Sequence, residues 1–153
     1  MLSLATIGYQ SATPDGFKRA LEKAGVELLV DIRAVASSRR PGFSKTKLAA
    51  SVEEAGIGYL HLRALGTPSD GRAAARAGKH AEMRAIFLAH MATPDAQAAL
   101  ADLADIVRSG RRVCLLCFEA EPAQCHRNIV AAQLAELLPL DIVHLVPDAD
   151  PLY

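Results

Sequence analysis

The stretch Val113-Cys114-Leu115-Leu116-Cys117-Phe118-Glu119-Ala120-Glu121-Pro122-Ala123-Gln124-Cys125-His126-Arg127 decides how this chain is read. Its apolar front predicts a buried strand over residues 112–118, and its acidic, proline-containing middle predicts a turn. A helix is expected over residues 125–138, stopped by Pro139. Two thiols, a carboxylate, an imidazole and a guanidinium thus meet at one strand-to-helix junction, where α/β proteins usually keep their chemistry.

The same alternation runs outward in both directions. Leu2 to Gly8 reads as a strand, and Thr13-Pro14 then supplies an N-cap and a proline at the first helical position, with Gly25 as the stop. A second strand is expected over residues 26–32, a helix from Ser44 to Gly56, and a third strand over 58–62. Residues 63–79 are rich in Gly, Pro, Ser, Asp and Arg and read as a long connection to a helix over 81–91. Thr93-Pro94 repeats the cap signature and opens a helix that stops at Gly110; a last strand follows over 142–146. Near-continuously apolar strands alternating with helices predict an α/β fold. The expectation is a single three-layer domain over residues 1–153, with a mainly parallel sheet of about five strands and helices on both faces. Strand order is not readable from this pattern.

With 153 residues, 51% apolar and 22% charged, the chain can bury a core without staples. Its 17 Lys and Arg balance 17 Asp and Glu, so no whole-molecule field steers it toward nucleic acid or an anionic membrane, and charge arguments must be local. Three cysteines and an opening without a basic n-region set the expectation of a reduced, cytoplasmic protein. No apolar run approaches the roughly 20 residues that span a bilayer.

In a parallel sheet the carboxyl ends of the strands share one edge, which gathers the polar residues of several loops. Tyr9, Gln10 and Ser11 follow the first strand, and Asp31, Arg33, Arg39 and Arg40 the second. His61 and Arg63 follow the third, and Glu119, Cys125, His126 and Arg127 the fourth. Asp31 can pair with Arg33 or present a carboxylate to a ligand. Residues 33–52 carry Arg33, Arg39, Arg40, Lys45 and Lys47 and no acid; they read as a solvated basic loop or as a phosphate fork at Arg39-Arg40-Pro41-Gly42. His61 fits a structural or a site role. Gly8-Tyr9-Gln10-Ser11 lacks the G-x-G-x-x-G spacing, so a dinucleotide fingerprint is not supported.

The cysteines separate by position. Residues three apart on a strand face opposite ways, so Cys114 reads as core and Cys114 and Cys117 do not share an ion. No second ligand pair sits at zinc-like spacing, and neither metal nor cofactor is expected. Cys125, in the first turn of its helix beside His126 and Arg127, is expected to be the most acidic thiol. Alanine at positions 120 and 123 breaks the Cys-x5-Arg spacing of phosphate-loop thiol enzymes for both Cys114 and Cys117. Cations at a helix N-terminus call for a partner, either Glu119 or Asp31 or an anionic ligand; a bound sulfate or phosphate is expected near Arg33, Arg39 and Arg127.

These residues resemble a known family. Thr6-Ile7-Gly8, Leu29-Val30-Asp31-Ile32-Arg33, Ser38-Arg39-Arg40-Pro41-Gly42-Phe43-Ser44-Lys45, Tyr59-Leu60-His61-Leu62 with Leu65-Gly66, and Leu115-Leu116-Cys117-Phe118-Glu119 with Cys125-His126-Arg127 are similar to the domain of unknown function 488 family, in order and over nearly the whole chain. The resemblance implies a small cytosolic α/β domain and leaves the reaction open. Its usual Gly-His-Ser turn is Gly8-Tyr9-Gln10 here, and its Gly-Gly is Gly66-Thr67.

Three functions stay open. The first is an enzyme acting on a phosphorylated or nucleotide-like substrate, with Asp31, Glu119, Cys125 and His126 as catalytic candidates. Ser11, Arg33, Arg39, Arg40, His61, Cys117 and Arg127 would then bind substrate. The second is a non-catalytic ligand-binding or interaction module, and the third a thiol-redox or metal site using Cys117, Cys125, His126 and His61, against which stands the distortion needed for the adjacent Cys125 and His126 to ligate one ion. The partner expected is an anionic small molecule or nucleic-acid fragment, and no membrane.

Overall fold

A computed structural model describes residues 2–148. Five strands, β1 (Leu2–Gly8), β2 (Leu28–Asp31), β3 (Gly58–His61), β4 (Val113–Cys117) and β5 (Leu140–Leu145), form one sheet in the order β3-β2-β4-β1-β5. Every pairing is parallel. Six helices connect them: α1 (Pro14–Lys23), α2 (Lys45–Glu54), α3 (Ser69–Arg76), α4 (His80–Met91), α5 (Pro94–Arg108) and α6 (His126–Leu137). The expected mainly parallel five-strand sheet with helices on both faces is the observed architecture.

Local chemistry sets the helix starts. Thr13 and Thr93 each precede a proline and accept a backbone N–H, from Gly16 at 2.9 Å and from Ala96 at 3.4 Å. Ser44 stands at the N-cap of α2 but makes no cap bond. Its Oγ accepts from the Ser38 backbone N–H at 3.0 Å and so ties down the loop after β2. The long connection expected over residues 63–79 is corrected: it contains a 3-10 turn, Arg63–Leu65, and the helix α3. The Thr-Pro pair that marks α1 and α5 recurs before α3 as Thr67-Pro68, with Asp70 in the first turn, but here Pro68 stands at the N-cap position and no side chain caps the helix.

Strand alternation divides the core in two. Val30, Leu115 and Cys117 face one layer, packed with Ala74 of α3, Phe87 of α4, Leu103 of α5 and Ile129 of α6. Leu29, Cys114 and Leu116 face the other, packed with Phe17 of α1 and Leu48 of α2. Cys114 and Cys117 therefore lie on opposite faces, as a regular strand requires.

Strand order now locates a crevice. From β2 the chain passes through α2 outward to β3, and from the neighbouring β4 through α6 the opposite way to β5. The two helices sit on opposite faces, so the loops leaving β2 and β4 part and leave an opening at the carboxyl edge. No helix among the described residues is long and apolar enough to cross a membrane.

Candidate functional site

A cleft of about 1020 Å³ opens at this switch point. Its walls are the loop after β2, the loop after β4, the Tyr9-Gln10 turn after β1, and one side of α3 and α4. Five arginines line it, Arg33, Arg39, Arg40, Arg72 and Arg76, with His80 and His126; among the described residues Glu119 is the one carboxylate in the lining.

Arg33 is anchored before it reaches the cleft. Its Nε and Nη2 donate to the two Asp31 oxygens at 2.9 and 2.7 Å, and Nη1 donates to Tyr9 Oη at 3.1 Å and to the Phe43 carbonyl at 2.7 Å. Burial opposes its charge, yet the Asp31 carboxylate holds its pKa above the ordinary value. Asp31, 0% exposed, also accepts from the Arg33 backbone N–H at 3.0 Å and from Tyr59 Oη. The structure places Asp31 behind the cleft wall, as the counter-ion that orients Arg33. His61 Nε2 lies 2.7 Å from the Arg33 carbonyl, so His61 too sits behind the lining, and Ser11 is half-buried outside it. Arg40 reaches the carbonyls of Gln10, at 2.8 Å, and Ala12, binding the β2 loop to the turn after β1. Arg39 is exposed at the cleft.

The β4 junction is assembled around Arg127, which is 0% exposed. Its Nε donates to Thr6 Oγ1 at 3.1 Å, its Nη1 to the Glu119 carbonyl, and its Nη2 to the Ala120 carbonyl at 3.2 Å. Nη1 is also 3.7 Å from Cys117 Sγ. Burial, foremost, lowers its pKa, and it has no ion pair among the described residues. Gly8 makes this possible, because a Cβ there would run into the Glu119 carbonyl and the Arg127 guanidinium. Arg127 thus shapes the cleft wall from behind and does not join Arg33 and Arg39 in the lining, where the sequence expectation of a shared anion site had put it.

Glu119 is half-buried, and burial raises its pKa from the ordinary carboxylate value, with the Arg127 and His80 charges acting in opposition. Its Oε2 is 3.3 Å from Cys117 Sγ. Cys117 lines the cleft, and a disulfide joins it to Cys125, with the two Cα atoms 7.4 Å apart. Cys125, 2% exposed, is the N-cap of α6, and its Sγ accepts from the Arg127 backbone N–H at 3.5 Å. His126 Nε2 is 2.7 Å from the Ile32 carbonyl, which only accepts, so Nε2 bears the proton. Nδ1 is left with a bare lone pair, 3.8 Å from Cys125 Sγ. Burial, with the Arg127 charge adding to it, lowers the His126 pKa to about 4, so the ring is neutral near pH 7.

Of the expected site residues, Glu119, His126, Arg33, Arg39, Arg40 and Cys117 line the cleft; Asp31, Cys125, Arg127, His61 and Ser11 do not. Sequence reading missed Arg72, Arg76 and His80. For the arginines the signal was spacing, since Arg72 and Arg76 are four apart and share one face of α3; His80 opens the next helix, and no local pattern joins it to them. Cys117, Cys125 and His126, which the thiol-or-metal alternative had named together with His61, bring their ligand atoms within 4.8 Å of one another, and His61 is not in the group.

Residues 13–134 match the sequence model of a family described as Domain of unknown function DUF488. No curated protein and no solved structure matches the chain.

Proposed function

The chain belongs to the DUF488 family, whose activity is unknown, and we propose that its carboxyl-edge cleft is the site of an enzyme acting on a phosphorylated, nucleotide-like substrate. One observation carries this: a chain with no net charge places Arg39, Arg72 and Arg76, beside the Asp31-paired Arg33, around one cleft in which Glu119 is the one carboxylate among the described residues. Such a local excess stabilises a polyanion more than any other ligand class. Arg39 and Arg76, both exposed, take the phosphate at the mouth, and Arg33 is preoriented deeper by Asp31. Phe118, 41% exposed at the rim and edge-on to Tyr9, offers a face for a nucleobase. Glu119 is the group positioned to move a proton. His80 Nδ1 is buried without a hydrogen-bond partner among the described residues, an unmet polar group beside the cleft.

Calorimetric titration with pyrophosphate and with a nucleoside monophosphate tests the reading. Arg39→Ala and Arg76→Ala should each weaken binding about fivefold, on the order of 1 kcal/mol for a solvent-exposed charged contact. Glu119→Gln should leave binding intact or tighten it, because it removes the only negative charge from the lining. No measurable binding, or binding that both arginine variants leave unchanged, sinks the proposal.

A further inference from the structure

Cys117 and His126 line the cleft and meet the buried Cys125 behind it, and we infer that in their reduced form the three bind zinc, leaving one coordination position open to the cleft. Three features of the geometry support this. First, a tetrahedral zinc with Zn–S of about 2.3 Å and Zn–N of about 2.0 Å separates nitrogen from sulfur by about 3.6 Å. His126 Nδ1 and Cys125 Sγ are 3.8 Å apart. Neighbouring residues rarely share an ion, but here Cys125 is extended, with φ −124° and ψ 145°, while His126 begins the helix; the bend between them turns both ligand atoms to one point.

Second, the imidazole is already in the form a metal needs. Its Nε2–H is held by the Ile32 carbonyl at 2.7 Å, which fixes the tautomer and directs the Nδ1 lone pair at the sulfurs. A backbone carbonyl on the far nitrogen is the usual support behind a ligating histidine. Third, the Cα atoms of Cys117 and Cys125 are 7.4 Å apart, beyond the roughly 4.4–6.8 Å usual for a disulfide. That spacing lets the two sulfurs part to the roughly 3.8 Å that two zinc ligands require.

The charges also close. Zinc entry displaces one proton from each of the two thiols, and the two thiolates cancel the ion. Cys117, Glu119 and His126 all line the cleft, so the fourth position faces whatever binds there. Cys114, on the opposite face of β4, takes no part.

The test uses the full chain, reduced with a phosphine, incubated with equimolar zinc and passed through gel filtration before elemental analysis. One zinc per chain is expected, and cobalt in its place should show thiolate-to-metal charge-transfer bands. Cys125→Ser keeps an oxygen acceptor for the Arg127 N–H at the N-cap, and His126→Gln keeps a donor for the Ile32 carbonyl, so both variants should fold. Each should lose at least tenfold in zinc affinity, while Cys114→Ala keeps one zinc. The inference is overturned if the reduced chain holds Cys117 and Cys125 as free thiols and takes up no zinc, if Cys125→Ser and His126→Gln retain it, or if the disulfide re-forms in reductant with zinc present. Pyrophosphate titration of the metal-free chain stays a separate measurement, so either result can fail without the other.

Discussion

At the scale of single residues, the decisive group is Asp31. Both its oxygens are taken, by the Arg33 fork and by Tyr59, inside a site with no water access. Truncating one partner of such a pair leaves the other charge buried, which costs about 3–5 kcal/mol. Asp31→Ala should therefore lower the urea-unfolding free energy by about that much, and Tyr59→Phe by about 1 kcal/mol. A loss under about 1 kcal/mol for Asp31→Ala would show that the pair is not what holds the β2 loop. The Asp31–Arg33 ion pair was among the readings open from sequence, because residues two apart at a strand end share a side. The remaining shell was not legible. Tyr9, Phe43 and Tyr59 come from 24, 10 and 28 residues away in the chain, and no local rule reports such contacts. Cys117 and Cys125 were each singled out, but their meeting depends on how the acidic turn between them folds around Arg127.

At the scale of elements, the alternation of strand and helix was readable because each carries its own local period and caps. Most ends fall within two residues of expectation. The exception is α3, whose eight residues start without a side-chain cap, include Gly71 and end before Gly78. It is held by its packing on α4, and its one local signal, the Thr67-Pro68 pair that repeats the start of α1 and α5, was overlooked in the glycine-rich segment around it. The turn before α3 offers a test of how this element shapes the cleft. A Cβ on Gly66 would overlap the backbone of Ala34, in the loop that carries Arg39 and Arg40. Neither backbone can yield without moving its loop, so Gly66→Ala should destabilise the fold by about 1–3 kcal/mol and weaken pyrophosphate binding as well. Gly56→Ala serves as the contrast: its φ of 77° is strained for alanine but nothing lies within 4 Å, so it should cost about 1 kcal/mol and leave binding unchanged. Equal binding in both variants would mean that the Gly66–Ala34 approach does not set the arginine loop.

At the scale of the whole molecule, the carboxyl-edge rule correctly named the side of the sheet on which the polar loops gather. Strand order, which no sequence pattern revealed, decides which of those loops face one another. Because β2 and β4 are neighbours whose helices leave on opposite faces, their loops enclose the cleft; β3 lies at the sheet edge, so His61 supports the wall and does not line it. The same arrangement separates two electrostatic scales. Seventeen basic and seventeen acidic residues cancel over the molecule, whereas the cleft lining holds Arg39, Arg72 and Arg76 beside the Asp31-paired Arg33, with Glu119 its one carboxylate among the described residues. Screening acts over roughly 10 Å at 0.1 M salt and 3 Å at 1 M, so a ligand seated among these side chains feels the local excess and little of the distant compensation. Pyrophosphate affinity should accordingly fall several-fold between about 0.05 and 0.5 M sodium chloride. The doubly substituted Arg39→Ala, Arg76→Ala chain should show weaker binding and a distinctly shallower salt dependence, since it loses two of the charges being screened. Titrations of both proteins across that series decide the matter. Affinity independent of salt in the unaltered chain, or an equal slope in the double variant, would place the binding determinants outside the arginine-lined cleft.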